Sequence, residues 1–339
     1  MQFLRGGAEE DYARALTFAH GGTGAQGIVE PGAGSDSADI CNAVAISLWS
    51  IVLAAGSGRR LAGLTGGVPK QFWRPDGGAS LLDATLARLA PLCGPERTVV
   101  VVDLSHRQHV LSLSPSRAGV VLFQPSDRGT ATGILLALMP VLDADPDAVV
   151  LLTPSDHGVR NDGRFRRGVL EAALRVRRHD DVVLFGAEPT QANADYGWIV
   201  PGSRRRLTGL RSVRQFVEKP ASSEAERLLA SGGVWNTMVV VARASTLRRL
   251  FVAHLSELAQ VFDTARHMTP PERDDFFNRV YPSLGSWDFS RDVLTPARDL
   301  LVYTWPRTIG WSDLGTPERL NGWLRQSAQG LAATSASAA

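Results

Sequence analysis

From Leu48 onward, short runs of apolar residues alternate with longer stretches in which apolar positions recur every three or four residues. The runs Ser50–Ala55, Thr98–Asp103, Val120–Gln124, Val149–Thr153 and Val182–Ala187 are apolar almost throughout, which predicts strands covered on both faces. Between them, Ser80–Ala90, Thr130–Leu142 and Arg164–Arg177 have helical spacing; Ser80 offers an N-cap oxygen, and Leu82, Leu86 and Leu89 fall on one face. This alternation predicts a layered α/β fold with mostly parallel strands. After Pro189 the pattern loosens. Trp198–Pro201, Val213–Val217 and Trp235–Val241 read as strands between glycine turns. Helical segments follow near Leu247–His267 and Pro271–Val280, and Leu301–Trp305 reads as a last strand. These elements predict a smaller, partly antiparallel lobe over one edge of the main sheet. The domain is thus expected over 46–326, as a part over 46–188 and the lobe with C-terminal helices over 189–326. An extension over 1–45, with a short helix near Ala8–Phe18 and a flexible stretch over Gly21–Asp36, precedes it, and a frayed Ala/Ser-rich tail over 327–339 follows.

Composition adds limits. With 44% hydrophobic and 21% charged residues, the chain can bury a substantial core. The net charge of +2 makes no electrostatic case for nucleic acid. The arginines of Arg164–Arg178 and Arg204–Arg206 lack interleaved aromatics and read as a solvated helix face and a turn. Cys41 and Cys93 are too few for a disulfide framework or an unaided zinc site, which points to a reducing cytoplasm. Ala43–Ala55 is too short to span a bilayer, and the acidic Glu9, Glu10 and Asp11 stand where a secretory leader carries basic residues. No membrane partner is expected; a homo-oligomer is compatible with the sequence.

Candidate chemistry begins at the glycine turn Leu53-Ala54-Ala55-Gly56-Ser57-Gly58-Arg59-Arg60-Leu61, directly after the first strand. Its glycines free backbone N–H groups to approach an anion. Leu61 at the third glycine position excludes a dinucleotide fingerprint, and no Gly-Lys-Ser/Thr follows to make a Walker loop. A plain β-turn is the bland alternative. Arg59, Arg60 and the downstream Pro69-Lys70-Gln71-Phe72 add the fixed positive charge that a triphosphate needs and a turn does not.

These two motifs together resemble the nucleotide-binding signature of the sugar-1-phosphate nucleotidyltransferases, and the Lys-Gln-Phe ending is similar to their mannose-1-phosphate guanylyltransferase branch. Gln124-Pro125-Ser126-Asp127-Arg128-Gly129-Thr130-Ala131, Pro154-Ser155-Asp156-His157, Phe216-Val217-Glu218-Lys219-Pro220, Trp235-Asn236 and Gly310-Trp311-Ser312-Asp313 resemble that branch in the same order, from about Ile51 to Leu320. The resemblance implies a three-layer Rossmann-like nucleotidyltransferase fold, a mostly parallel mixed sheet with a smaller, partly antiparallel sugar-binding lobe. It implies transfer of GMP from GTP to mannose 1-phosphate. Ala55, Gly56, Gly58 and the catalytic Arg60 would hold the triphosphate, with catalytic Lys70 beside the α-phosphate and Gly129 and Thr130 nearby. Gln124 would read the guanine edge. Asp156 and Asp313 would share Mg²⁺, whereas His157 would be structural. Tyr196, Gly197, Glu218, Lys219 and Asn236 would hold the sugar phosphate.

The sequence also departs from the family pattern. Arg59 stands for the common Thr, Thr132 for Pro, and Thr237-Met238 for Ser-Gly; Trp287-Asp288-Phe289-Ser290 only loosely matches Ile-Asp-Tyr-Ala. These changes leave another hexose 1-phosphate or another nucleotide open, as well as a catalytically silent regulatory subunit. The isomerase half of some longer relatives is expected to be absent.

Overall fold

In the computed structural model, residues 47–110, 119–204 and 209–326 are described; the expected Ala8–Phe18 helix, the extension and the tail lie outside them. Nine strands form one sheet: β1 (Leu48–Ala54), β2 (Thr98–Asp103), β3 (Val120–Gln124), β4 (Val149–Pro154), β5 (Val183–Ala187), β6 (Trp198–Arg204), β7 (Leu210–Val217), β8 (Val234–Arg243) and β9 (Leu301–Trp305). Their order is β3-β2-β1-β4-β8-β5-β9-β7-β6. The sheet is mixed rather than mostly parallel, because β8 and β7 run against all of their neighbours: four pairings are parallel (β1 with β2 and β4, β2 with β3, β5 with β9) and five antiparallel.

Alternation along the central strands feeds two cores. Ile51, Val99, Val101, Val150 and Leu152 face helices α2 (Gly129–Ala144), α5 (Ala244–His254), α6 (Ser256–Arg266) and α7 (Pro270–Val280). Val52, Val100, Val102, Val149 and Leu151 face α1 (Leu81–Leu89) and α3 (Asp162–Val176). Parallel strands buried on both faces give the near-continuous valine runs of the sequence. Ser80 caps α1 as expected, in a capping box with Asp83: its Oγ accepts from Asp83 N at 3.0 Å, and Ser80 N donates to Asp83 Oδ2 at 3.1 Å. The helical stretch expected over Leu247–His267 breaks at Leu255, whose φ of −138° and ψ of 56° separate α5 from α6.

The expected lobe is continuous with the main sheet. Strand β8 pairs with β5 at both of its ends, takes β4 through Val240–Arg243, and through Val234 and Trp235 pairs with Ile199 and Trp198 of β6. That extra pairing closes β8, β5, β9, β7 and β6 into a small barrel. Outside it, α4 (Ser222–Ala230) lays Ala225 and Leu228 on Trp198 and Trp235. Among the described residues no helix is long and apolar enough to cross a membrane.

Candidate active site

The parallel strands β1 to β4 end along one edge, where sites gather in open α/β sheets. Leaving β1, Ala55, Gly56, Ser57 and Gly58 form a partly exposed loop into a short 3₁₀ turn, Arg59–Leu61. Gly58 adopts φ 61°, and a Cβ there would stand 2.9 Å from Lys70 N, so the loop rests on the chain at Lys70. Lys70–Phe72 is itself a buried 3₁₀ turn. Gln71, 2% exposed, donates from Nε2 to the carbonyls of Ala54 (2.7 Å) and Gly56 (2.9 Å) and so fixes the loop. Arg59 and Arg60 are both exposed, and it is Arg59 that lines an open cleft of about 730 Å³. Its other walls are Ala55 and Ser57, the residues after β2 from Asp103 to His106, and Pro125, Ser126 and Asp127 after β3. Gln124, buried at the end of β3, leaves Oε1 without a hydrogen-bond partner among the described residues. Gly129 opens α2 with φ 82°; a Cβ there would run into the Trp287 carbonyl, which accepts from Ala131 N at 3.0 Å. Thr130 Oγ1 accepts from Phe289 N at 2.8 Å, so the 287–289 segment closes over this helix start.

The loops carrying the two candidate metal ligands meet. Gly158 and Ser312 exchange backbone hydrogen bonds of 2.8 and 3.0 Å, which ties the segment after β4 to the Gly310–Asp313 segment. Lys70 Nζ lies 2.9 Å from Asp156 Oδ2 and donates to the main-chain carbonyl of Asp313 at 2.5 Å. Burial raises the Asp156 carboxyl, but Lys70 and His157 outweigh it and hold the group below its usual value. Asp313 Oδ1 accepts from Tyr196 Oη at 3.0 Å and pairs with Arg319 Nε at 2.9 Å. His157 packs edge-on against Trp311, with ring centres 5.4 Å apart, and burial lowers its pKa.

On the barrel side, Tyr196 sits 4.8 Å from Trp235 and 5.5 Å from Trp311, ring centre to ring centre, and burial together with Asp313 pushes its phenol well up. Gly197 accepts from Asn236 N at 2.7 Å. Glu218 is raised by burial and then by Asp288, against the pull of Lys219. Lys219 is two-thirds exposed, at φ 47°, with Nζ 3.8 Å from Glu218 Oε1. Asn236 is buried and spans Met238 N (3.1 Å, accepting) and Ser290 Oγ (3.3 Å, donating). Lys219, Met238 and Leu314 are three of the four non-glycine residues with positive φ among the described residues, and each is at or beside a candidate site position. Of the sequence-predicted residues only Ala55 lines the cleft; Lys70, Asp156 and Asp313 meet at a lysine–carboxylate junction, and Tyr196, Gly197, Glu218, Lys219 and Asn236 gather on the barrel side.

The family profile described as nucleotidyl transferase matches residues 49–328, nearly the whole described chain. The chain belongs to this family. Among curated relatives, it is 32% identical over 298 residues to the xanthan biosynthesis protein XanB of Xanthomonas campestris pv. campestris (strain B100), covering 83% of this chain and 60% of that one. It is 31% identical over 282 residues to a mannose-1-phosphate guanylyltransferase of Salmonella muenchen, covering 79% and 58%. The chain therefore spans about 60% of the length of such relatives. A Thermus thermophilus crystal structure described as a mannose-1-phosphate geranyltransferase superposes with a TM-score of 0.71 at 29% identity, covering 80% of this chain and 77% of that one.

The glycine loop supplies backbone amides, and the exposed Arg59 and Arg60 supply cations directly after it. Gln71, Asp103 and His106 carry none of the roles expected from the motifs. All three are polar residues placed in or beside apolar runs, and Gln71 and His106 are nonetheless buried. A buried polar side chain next to a glycine loop is the signal that could have found Gln71.

Proposed function

We propose that this nucleotidyltransferase moves GMP from GTP to α-D-mannose 1-phosphate, giving GDP-mannose and pyrophosphate. The observation that carries the reading is the junction at Lys70: one ammonium joins the Pro-Lys-Gln-Phe, Pro-Ser-Asp-His and Gly-Trp-Ser-Asp motifs through Asp156 Oδ2 and the Asp313 carbonyl. The named function of the Salmonella muenchen relative supports the choice of substrates.

A hexose 1-phosphate is close to a dianion at neutral pH, since its second pKa lies near ~6, so its oxygen attacks without a general base. A bond forms from that oxygen to the α-phosphorus of GTP as the bond to pyrophosphate breaks, and pyrophosphate leaves with the electron pair. The work left to the protein is alignment and charge. The glycine-loop amides, steadied by Gln71, receive the triphosphate with Arg59 in the cleft wall and Arg60 next to it in the chain. Lys70 lies next to the reacting phosphates, and Gln124 Oε1 accepts from the base. Glu218, Asn236, Tyr196 and Gly197 orient the sugar, and Lys219 holds its phosphate. Asp156 and Asp313, on loops joined by the Gly158–Ser312 bridge, would hold Mg²⁺, which takes one or two carboxylates with phosphates and water. That ion would neutralise phosphate charge.

The test is pyrophosphate release from GTP, ATP and UTP, each with mannose 1-phosphate and glucose 1-phosphate. The proposal expects the GTP and mannose 1-phosphate pair to exceed every other pair; a higher rate with glucose 1-phosphate or another nucleotide rejects it. Met238, at φ 58° where the family commonly has Gly, is the observation that favours a different hexose as second reading.

A further inference from the structure

His106 follows β2 and lines the cleft, yet no step of the proposed transfer uses it. It is only 8% exposed, packed edge-on to Phe72 with ring centres 5.9 Å apart and 6.5 Å from the ring of His109. Its Nδ1 has no hydrogen-bond partner among the described residues. Folded proteins leave few buried polar atoms unpaired, and each one asks for a reason. Packing alone gives none here, because a phenyl ring would pack equally well without stranding a nitrogen. A half-turn about Cβ–Cγ exchanges ring nitrogens for ring carbons at almost constant shape, so the packed imidazole can present a nitrogen to the cleft. The space beside it, about 730 Å³, is of the size that takes a small molecule. Its wall alternates hydroxyls (Ser57, Ser105, Ser126) with the carboxylates of Asp103 and Asp127. Such a wall hydrogen-bonds the neutral, polyhydroxylated part of a nucleotide and repels its phosphates, which the amides and cations at Ser57 and Arg59 attract.

Resting on the nucleotide reading proposed above, we infer that His106 is a nucleoside contact, hydrogen-bonding the ribose or base of the bound nucleotide. Burial lowers its pKa against the pull of Asp103, so the ring stays neutral at pH 7 and serves an uncharged group.

The experiment is calorimetric titration of wild type, His106→Ala, His106→Phe and His106→Asn with GTP, GMP and inorganic pyrophosphate. The inference expects His106→Ala and His106→Phe to weaken GTP and GMP alike, by about tenfold, the usual scale for one lost polar contact. Pyrophosphate should hold within about twofold, since no phosphate contact is removed. His106→Phe keeps the packing on Phe72, so its melting temperature should match wild type while its affinity does not. His106→Asn, which can reach with a polar atom from nearly the Nδ1 position, should recover most of the loss. Unchanged GMP affinity in both the Ala and Phe variants overturns the inference, as does an equal loss for pyrophosphate. Wild type is also titrated with AMP, UMP, CMP and dTMP. If one of these binds better than GMP and loses affinity in His106→Phe, the nucleoside contact stands and the guanine reading fails. If wild type binds pyrophosphate and no nucleoside monophosphate, both fail.

Discussion

Replacing Lys70 with Met removes the ammonium that joins three motifs while keeping an unbranched side chain in a buried turn. Lys70 is 6% exposed at the side chain and its partner Asp156 31%. Breaking a fully buried pair costs about 3–5 kcal/mol through the charge left behind. Asp156 can recruit water on its exposed side, so about 1–3 kcal/mol is expected here. At about 2–4 °C per kcal/mol for a domain of this order, the melting temperature should fall by several degrees. The loss should depend on pH. The Asp156 carboxyl lies below its usual value because Lys70 and His157 outweigh the upward push of burial. A depressed folded pKa contributes stability above the unfolded value, near ~3.9, and that contribution is lost as pH falls through the folded value. The gap between wild type and Lys70→Met should therefore be widest at neutral pH and close below about pH 4. Catalysis supplies the second axis. If Lys70 neutralises phosphate charge, kcat should drop about 10²-fold or more at temperatures where the variant is fully folded. Adding Asp156→Asn removes the stranded carboxylate, so the double variant should regain most of the melting temperature and none of the turnover. Scanning calorimetry from about pH 2.5 to 8 and pyrophosphate release at 25 °C measure both axes. Near-wild-type turnover in fully folded Lys70→Met would refute the catalytic role and leave Lys70 a structural residue; the double variant, which also lacks a candidate metal ligand, tests the stability axis alone.

Other positions give independent outcomes. Gln124→Ala should raise the KM for GTP by about 5–100-fold, the loss of one base contact, with a smaller change for the sugar phosphate; equal changes in the two KM values by steady-state kinetics would count against it. Lys219→Ala should weaken mannose 1-phosphate binding in calorimetry while GTP binding in the absence of sugar stays near wild type. Asp156→Asn and Asp313→Asn should each cut kcat and raise the Mg²⁺ needed, with the double variant losing far less than the product of the single losses in a magnesium titration. Gly129→Ala should destabilise by more than about 1 kcal/mol, because φ 82° is strained for alanine and its Cβ meets the Trp287 carbonyl; a melting temperature within about a degree of wild type would contradict that packing.

Much of the scaffold was legible because its signals are local. The bounds of β2 and β3 match the expected runs residue for residue, since each is an unbroken apolar stretch ending on a polar residue. Helix α4 was not singled out: only Ala225 and Leu228 of its nine residues are buried, too few to make a stripe. Closure of the barrel depends on Trp198 pairing with Trp235, a contact between distant strands that no local pattern encodes. At the site, the motifs marked Lys70, Asp156 and Asp313 through resemblance. Their junction rests on the Gly158–Ser312 bridge, which spacing along the chain does not reveal. Gln71 and His106 escaped because a buried polar residue looks in sequence like a surface one.

Isotopic oxygen shows directly which bond forms. Mannose 1-phosphate carrying ¹⁸O at its three non-bridging phosphate oxygens is incubated with GTP, Mg²⁺ and the protein, and the products are weighed by mass spectrometry. Attack of the sugar phosphate on the α-phosphorus predicts GDP-mannose that retains all three labels, with unlabelled pyrophosphate. Label in the pyrophosphate, release of GDP or GMP in its place, or no GDP-mannose at all would rule out this transfer.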